Sequence, residues 1–276
     1  MSYKTVMVRL RLGEPNTALV QFVAGFAKRH AARVVGIAAA QPIQLVDVEG
    51  CMPGELIQTD REEIEEEVRV AKAEFYGALQ SSGLALEWRS SITLLRLAEY
   101  FARQARCADL VIAVAEHAGE WGNPTRHLGY GDLVMQLGRP ILIVPLEAPQ
   151  SPLTTALIGW KDSREARRAI ADALPLLKTM EKVYVGTVVP KEDAEKEPSG
   201  LSDVISWLKA HEIAAEPRVA FASGDDVEDL NRLADESHAD LIVAGAYGHS
   251  RLREWVFGGV THDVLMRPRR STLLSH

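Results

Sequence analysis

The segment Ala108-Asp-Leu-Val-Ile-Ala-Val-Ala115 recurs later in the chain as Ala239-Asp-Leu-Ile-Val-Ala-Gly-Ala246. Each copy is a short apolar run, which is typical of a strand buried inside a sheet. A second pair of matching segments follows the first. The segments Gly131–Pro140 and Gly259–Pro268 both end in Arg-Pro, and each leads into a further strand-like run.

An internal repeat of this length predicts two copies of one domain rather than a solenoid. The segment Glu147–Pro152 contains two prolines and follows an apolar run, as a short linker does. We therefore expect an N-terminal domain at residues 1–147 and a C-terminal domain at residues 153–276. Each is long enough to bury its own core.

Strand-like and helix-like segments alternate in both halves. Strands are predicted at Thr5–Leu10, Arg33–Ala39, Leu86–Ile92, Asp109–Ala115, Ile141–Pro145, Thr155–Trp160, Lys182–Val189, Ala215–Phe221, Asp240–Ala246 and Ser271–Ser275. Helices are predicted at Asn16–Ala31, Asp60–Leu79, Leu94–Arg106, Ser163–Thr179, Leu201–His211, Val227–His238 and Arg253–Met266. The alternation predicts an α/β fold of two tandem, open, mainly parallel five-stranded sheets flanked by helices. Ligands of such sheets bind outside the carboxyl ends of the strands, at a switch in strand order.

The composition is that of an ordinary globular protein: 276 residues, 47% hydrophobic and 25% charged, with a net charge of −7. The negative charge gives no electrostatic reason to expect nucleic-acid binding. No apolar run approaches the roughly 20 residues that span a bilayer. Because Met1 leads directly into a strand-like segment, we expect no signal peptide and a cytoplasmic location. Cys51 and Cys107 make neither a disulfide framework nor a metal-binding motif.

The segment from Ala244 to Thr261 is rich in glycine and carries the chemistry. It begins at the end of a predicted strand and leads into a predicted helix, where free N–H groups and the helix dipole favour a phosphate group. Arg251 could add a charged hydrogen bond. The alternative is that these glycines only permit tight packing between strand and helix. The segment is neither a phosphate-binding P-loop nor a dinucleotide fingerprint, since the residues and spacings of both are missing.

The spacing of Gly245, Gly248 and Gly258 resembles the nucleotide motif of the universal stress protein family, Gly-x2-Gly-x9-Gly-Ser/Thr. The two residues Val260 and Thr261 also fit that motif. The chain as a whole is similar to bacterial members with two tandem domains. The resemblance implies a stress-response protein that binds ATP, or another adenine nucleotide, in its C-terminal domain, with Mg²⁺ as an accompanying ion.

The resemblance also implies which residues contact the nucleotide. The end of the first strand of the domain supplies Gly159, Trp160 and Lys161, and the end of the second strand contacts adenine near Val188. The glycine segment would hold the ribose and phosphates through Ala244, Gly245, Tyr247, Gly248, His249, Arg251, Gly258, Gly259, Val260 and Thr261.

Two departures from the family pattern bear on this site. Lys161 stands where the family has Asp, and Gly259 stands where it has Ser or Thr. Lys161 could pair with phosphate instead, and Asp162 could take the acidic role if the alignment shifts by one residue. In the N-terminal half, Arg11 stands in the place of the Asp and the glycine motif is lost, so we expect no nucleotide there.

Three functions follow from these residues. The first is a nucleotide-binding signalling module without catalytic residues, which leaves slow ATP hydrolysis open. The second is a nucleotide-free structural or protein-interaction member, motivated by Lys161 and Gly259. The third is a nucleotidyl-transfer enzyme, for which only Lys161, Asp162 and His249 are candidates.

Smaller features are assigned structural roles. Ser163 is expected to cap a helix, and the glutamates between positions 62 and 67 are expected to form a solvated helix face. In the family, the last strands of the two halves pair across the domain interface. The resemblance therefore implies that Ile141–Val144 and Thr272–Leu274 join the halves as an internal pseudo-dimer, hiding exposed sheet edges. A further homodimer and an unknown protein partner stay open.

Overall fold

The computed structural model of the chain describes residues 2–43, 54–115, 125–147, 151–190, 200–224, 226–246 and 270–276. These residues divide into two compact units. The N-terminal unit comprises residues 3–113 and 119–137, and the C-terminal unit comprises residues 1–2, 114–118 and 138–276. The domain boundaries expected from the repeat, 1–147 and 153–276, stay a prediction.

The N-terminal unit begins with a strand, a helix and a second strand, as its sequence pattern predicts. Its elements are β1 (Thr5–Arg9), α1 (Thr17–His30), β2 (Arg33–Ala40), α2 (Gly54–Leu79), β3 (Leu86–Ile92), α3 (Leu97–Gln104), β4 (Leu110–Val114) and α4 (Tyr130–Leu137). The strands lie in the order β3-β2-β1-β4, and the pairs β3–β2, β2–β1 and β1–β4 are parallel. The strand β1 is buried along its whole length, which matches its continuous apolar pattern.

The C-terminal unit repeats this plan. Its elements are β5 (Ile141–Val144), β6 (Thr155–Gly159), α5 (Arg164–Leu177), β7 (Lys182–Val189), α6 (Leu201–Ala210), β8 (Ala215–Phe221), α7 (Asp226–Glu236), β9 (Leu241–Gly245) and β10 (Ser271–Ser275). Five of its strands are parallel, in the order β10-β9-β6-β7-β8. One face of this sheet packs on α7 through an apolar cluster that includes Leu157, Leu233 and Ile242.

The strand β5 pairs with β10 in antiparallel register, with Ile143 opposite Thr272 and Ile141 opposite Leu274. The predicted pairing of these two segments is confirmed. The internal pseudo-dimer to which the family resemblance links this pairing stays a prediction.

Most predicted elements lie within a few residues of their observed bounds, and the strands β3, β7, β8 and β10 match them fully. The helix α4 was not predicted, because Gly129 and Gly131 beside its start indicate a turn rather than a helix. The predicted helix Arg253–Met266 lies outside the described residues. None of the described helices is long and apolar enough to cross a membrane.

The repeated Ala-Asp pair has a structural role in both units. The carboxylate of Asp109 accepts hydrogen bonds from the backbone N–H groups of Lys4 and Thr5, at 2.8 and 2.9 Å. The carboxylate of Asp240 accepts from the N–H groups of Thr154 and Thr155, at 2.9 and 3.1 Å. Each aspartate therefore fixes the start of the first strand of its unit, which explains why the pair recurs.

Candidate functional site

The candidate site lies in the C-terminal unit, where the strand order reverses direction. The first of the five parallel strands of this unit, β6, lies between β7 and β9, and from β6 the chain reaches β7 first and β9 only after β8. In open parallel sheets this arrangement leaves a crevice outside the carboxyl ends of the two strands beside the switch. Here those ends are Gly159 of β6 and Gly245 of β9. The first residues of the glycine-rich segment, Ala244 and Gly245, therefore lie at the topological switch.

The residue after β6, Trp160, is a packing residue. Its backbone N–H donates to the carbonyl of Gly186 at 2.7 Å, which continues the β6–β7 ladder by one step. Only 6% of the residue is exposed, and its indole ring lies against Gly200, where an added Cβ would be 3.6 Å from the ring. The aromatic ring is thus buried in the protein interior. We therefore expect only the backbone of Trp160 to contact a ligand.

The turn from β6 into α5 presents charged side chains to solvent. The N–H of Ser163 donates to the carbonyl of Lys161 at 2.6 Å, and the Ser163 hydroxyl accepts from the N–H of Ala166 at 3.2 Å. The predicted helix cap is therefore confirmed. Asp162 is exposed and forms an ion pair of 3.3 Å with Arg167.

Lys161 is exposed, and among the described residues its ammonium group has no ion-pair partner. The first turn of α5 lies close by, because the residue that caps this helix is Ser163. A lysine side chain and the start of a helix both favour an anion. The turn is thus chemically suited to an anionic ligand, although Asp162 and Glu165 reduce the local positive charge.

Three of the predicted contact residues lie on the face of the sheet that packs on α7. A Cβ added to Gly159 would lie 3.2 Å from a methyl carbon of Leu230 in that helix. Val188 and Ala244 also pack against the apolar cluster beneath α7, together with Leu230. Because these side-chain positions face the core, any contact they make with a ligand would use the backbone.

Gly245 is the point of closest approach between β9 and α5. A Cβ added there would lie 2.4 Å from the carbonyl carbon of Glu165 and 2.5 Å from the nitrogen of Ala166. No side chain can occupy that space, because both neighbours are backbone atoms. For Gly245 the packing explanation raised from the sequence therefore holds, whether or not the same residue also contacts a ligand.

The residues after Gly245 are anchored at their start. The N–H of Ala246 donates to the carbonyl of Ser275 at 2.8 Å, and Nδ1 of His276 lies 3.1 Å from the carbonyl oxygen of Ala246. The hydroxyl of Ser275 donates to the Asp172 carboxylate of α5 at 2.6 Å. The end of β10 thus fixes the point at which the glycine segment begins.

The remaining predicted contacts lie outside the described residues. They are Tyr247, Gly248, His249, Arg251, Gly258, Gly259, Val260 and Thr261. The structure brings the other predicted residues to one edge of the sheet, and these eight stay predictions. Within the described part of the chain, no group of three or more His, Cys, Asp or Glu residues is placed to hold a metal ion.

The matching edge of the N-terminal unit is occupied by a network of charged side chains that the sequence did not reveal. Arg9, the last residue of β1, is only 5% exposed and donates to the hydroxyl of Tyr130 at 2.9 Å. Arg126 forms ion pairs with Asp60 and Glu67 of α2. The expectation of a fully solvated glutamate face on α2 is wrong at Glu67, since only 17% of its side chain is exposed.

Comparisons with known proteins agree with this architecture. A family model described as the universal stress protein family matches residues 153–275. No curated protein matches the chain.

Three solved structures match almost the entire chain. A universal stress protein from Archaeoglobus fulgidus DSM 4304 has a TM-score of 0.74 at 13% identity, covering 98% of this chain and 97% of its own. A functionally unknown protein from Pseudomonas aeruginosa PAO1 has a TM-score of 0.62 at 12% identity, covering 99% and 92%. A candidate universal stress protein from P. aeruginosa UCBPP-PA14 has a TM-score of 0.64 at 11% identity, covering 99% and 93%.

A universal stress protein solved with cAMP also matches 46% of this chain and 99% of its own, at 22% identity. Its TM-score of 0.37 is too low to support a shared ligand site. At these identities the whole-chain matches establish the fold alone. Residues 153–275 thus match the universal stress protein family model, and the whole chain shares its fold with a universal stress protein from A. fulgidus.

Proposed function

We propose that the C-terminal unit binds one adenine nucleotide, of the ATP type, in the crevice between the ends of β6 and β9. The observation that carries the proposal is the position of the glycine segment. It begins at the end of β9, beside the strand-order switch, in the part of the chain that matches the universal stress protein family. Glycines at a switch point let the backbone approach phosphate groups closely.

The described residues fit an anionic ligand at this edge. Lys161 offers a solvent-exposed ammonium group, and the start of α5 adds a positive helix dipole. The backbone near Val188 would contact adenine, and the segment from Gly245 onwards would hold ribose and phosphates. Mg²⁺ would enter with the nucleotide.

The role we propose is a binding and signalling module of the stress response. In this role nucleotide binding itself, rather than turnover, would carry the signal. Protein partners would then distinguish the nucleotide-bound from the nucleotide-free chain.

The alternative is a nucleotide-free interaction protein, and two observations favour it. The clash predicted at Gly245 explains that glycine by packing alone. The burial of the Trp160 ring explains another predicted contact residue by packing. Lys161 and Gly259 also depart from the family's nucleotide motif. Fewer of the predicted contact residues therefore need a ligand to explain them.

Substitution of the glycines separates the two functions. The variants Gly248→Val and Gly258→Val should abolish binding of Mg-ATP in calorimetric titrations while the chain keeps its parental circular dichroism. The matched control is Gly77→Val on the exposed face of α2, where an added Cβ would meet no atom within 4 Å, and which should bind as the parent does. Parental affinity in both glycine variants would refute the proposed site.

The variant Lys161→Ala tests the contribution of the lysine. If its ammonium pairs with phosphate, the dissociation constant should rise about tenfold at low salt, and the difference should shrink as salt is added. An unchanged dissociation constant at low salt would remove Lys161 from the site.

A further inference from the structure

In the N-terminal unit, the backbone carbonyls of residues 125 and 126 accept hydrogen bonds from residues at the carboxyl ends of two strands. The carbonyl of Thr125 accepts from the N–H of Gln41, the residue after β2, at 2.8 Å. The carbonyl of Arg126 accepts from the guanidinium of Arg9, the last residue of β1, at 3.2 Å. We call residues 125–126 the strap. It is hydrogen-bonded to the ends of β1 and β2. The corresponding strands of the C-terminal unit are β6 and β7, which carry the proposed nucleotide contacts Gly159 and Val188.

The side chain of Arg126 leaves the strap and enters a group of three carboxylates on α2. Its Nε lies 2.6 Å from the Glu67 carboxylate, and its two terminal nitrogens lie 3.7 Å from oxygens of Asp60 and Glu63. The three acids occupy positions i, i+3 and i+7 of the helix and therefore share one face. Only 9% of the Arg126 side chain is exposed. The guanidinium thus lies in an acidic pocket made by a single helix.

The pocket is buried at Asp60 and largely buried at Glu67, whereas 63% of the Glu63 side chain is exposed. The Asp60 side chain is 2% exposed, and its other oxygen accepts from the N–H of Ile43 at 2.8 Å. A buried charge that loses its partner destabilises a protein strongly, since neither water nor another charge then compensates for it. Without the Arg126 guanidinium, Asp60 and Glu67 would lose the ion-pair partner that they have among the described residues.

The contacts in this pocket are also loose. Among the described residues, Oδ1 of Asp60 and Nη2 of Arg126 make no hydrogen bond, although both atoms are buried. Their nearest opposite charges lie at 3.7 Å, which is beyond hydrogen-bond distance. The Glu67 contact alone has the short distance of a charge-assisted hydrogen bond. A free guanidinium ion, unconstrained by the chain, could enter the same pocket and align with two carboxylates.

Arg9, which donates to the strap, is itself held by two aromatic rings. Its guanidinium lies 5.7 Å from the centre of the Tyr130 ring and 5.9 Å from that of Phe101, close enough for cation–π attraction. The C-terminal unit has Gly159, without a side chain, at the last position of its first strand. The space beside Gly159 is taken by Leu230 of α7, whereas Arg9 uses its side chain to contact the strap and the two rings.

We propose that Arg126 is an internal ligand of the N-terminal unit. Its guanidinium occupies a pocket formed by Asp60, Glu63 and Glu67, holds the strap over the ends of β1 and β2, and makes this unit independent of any external ligand. The pocket itself recognises guanidinium-type cations. This inference does not rest on the nucleotide proposal, because none of its contacts involves the C-terminal unit.

Chemical rescue of Arg126→Ala tests the proposal on the full chain. The variant should melt on the order of 10 °C below the parent, as expected for a broken buried ion pair. Methylguanidinium chloride at low millimolar concentration should restore part of this loss, whereas tetramethylammonium chloride at the same ionic strength should not. The matched control is Arg69→Ala on α2, the helix that carries the three carboxylates. The ion pair between Arg69 and Glu66 is exposed. It should melt within about 1 °C of the parent and show no rescue.

Two results would overturn the proposal: a parental melting temperature in Arg126→Ala, or equal effects of the two salts on that variant. If Arg126→Ala does not fold, Glu67→Gln provides the second test, because it removes the negative charge from the shortest contact and keeps the arginine. Hydrogen exchange should then accelerate in peptides covering the strap and residues 41–43, and stay parental in α5 to α7. Parental exchange at the strap would show that the ion pair does not hold it.

Discussion

The close approach at Gly245 gives a prediction that does not depend on any ligand. In Gly245→Ala the new Cβ would lie 2.4 Å from a backbone carbon, whereas ordinary contacts begin at 3.4 Å. The end of β9 and the start of α5 would have to separate by about 1 Å. Forcing extra volume into a packed interior costs typically 1–3 kcal/mol. Because the obstructing atoms are backbone and cannot change rotamer, we expect a loss of about 3 kcal/mol.

Equilibrium denaturation of the ligand-free chain measures this loss, with circular dichroism at low denaturant confirming that the variant folds. The matched control is Gly25→Ala in α1, where an added Cβ would meet nothing within 4 Å. That change should stabilise the N-terminal unit by roughly 0.5–1 kcal/mol, since alanine is the better helix former. A Gly245→Ala variant as stable as the parent would refute the packing argument. The proposed contact with a ligand would then be the remaining explanation for this glycine.

Three further predictions concern other described residues. Asp240→Ala should destabilise the C-terminal unit by about 2–3 kcal/mol in denaturant titrations. Asp109→Ala should destabilise its unit less, because one of the two hydrogen bonds that it loses is exposed. Equal stability of Asp240→Ala and the parent would contradict the structural role of this aspartate. Ser163→Ala should cost about 1 kcal/mol through loss of the α5 cap, with Ser163→Asn largely restoring it. Burial lowers the pKa of His30 from 6.5 to about 4, so the unfolded chain binds more protons in this interval and stability should fall as the pH drops from 6.5 towards 4. His30→Phe should flatten that pH dependence, and an unchanged slope would contradict the assignment.

The alternation of apolar strands and amphipathic helices was sufficient to predict the fold. The strands β7 and β8 were placed to the residue, because each has the length of one crossing of the sheet and is followed closely by a turn residue, Pro190 or Gly224. The repeat also predicted the pairing of β5 with β10 through the family resemblance. The helix α4 was missed, since its eight residues begin with Tyr130 and a glycine, and local propensity does not favour a helix there.

The charged network of the N-terminal unit could not be predicted from local sequence. Arg126 and Glu67 are distant in the chain, and nothing near either residue marks it as buried. A run of glutamates is typical of a solvated helix face, and only the tertiary contact with Arg126 changes that for Glu67. Arg9 could have been suspected, because a charged residue ends an otherwise apolar strand and must find partners once buried.

Gly245 shows that a residue in a ligand-binding motif can also be required for packing. Its place in a glycine-spaced motif indicates a ligand, whereas the contact with the backbone of α5 gives it a reason that only the folded chain reveals. Trp160 is similar, because a tryptophan at a strand end can stack on a base or pack inside, and its burial selects packing. Motif spacing alone cannot separate the two uses of such residues.

The most direct test of the account counts the nucleotides that the chain binds. Freshly purified protein would be denatured, the released small molecules identified by mass spectrometry, and the emptied, refolded chain titrated with Mg-ATP in a calorimeter. We predict one adenine nucleotide per chain, held by the C-terminal unit. Two per chain would contradict the expectation that the N-terminal unit binds no nucleotide. No binding at all would contradict the proposed function and favour the nucleotide-free interaction protein.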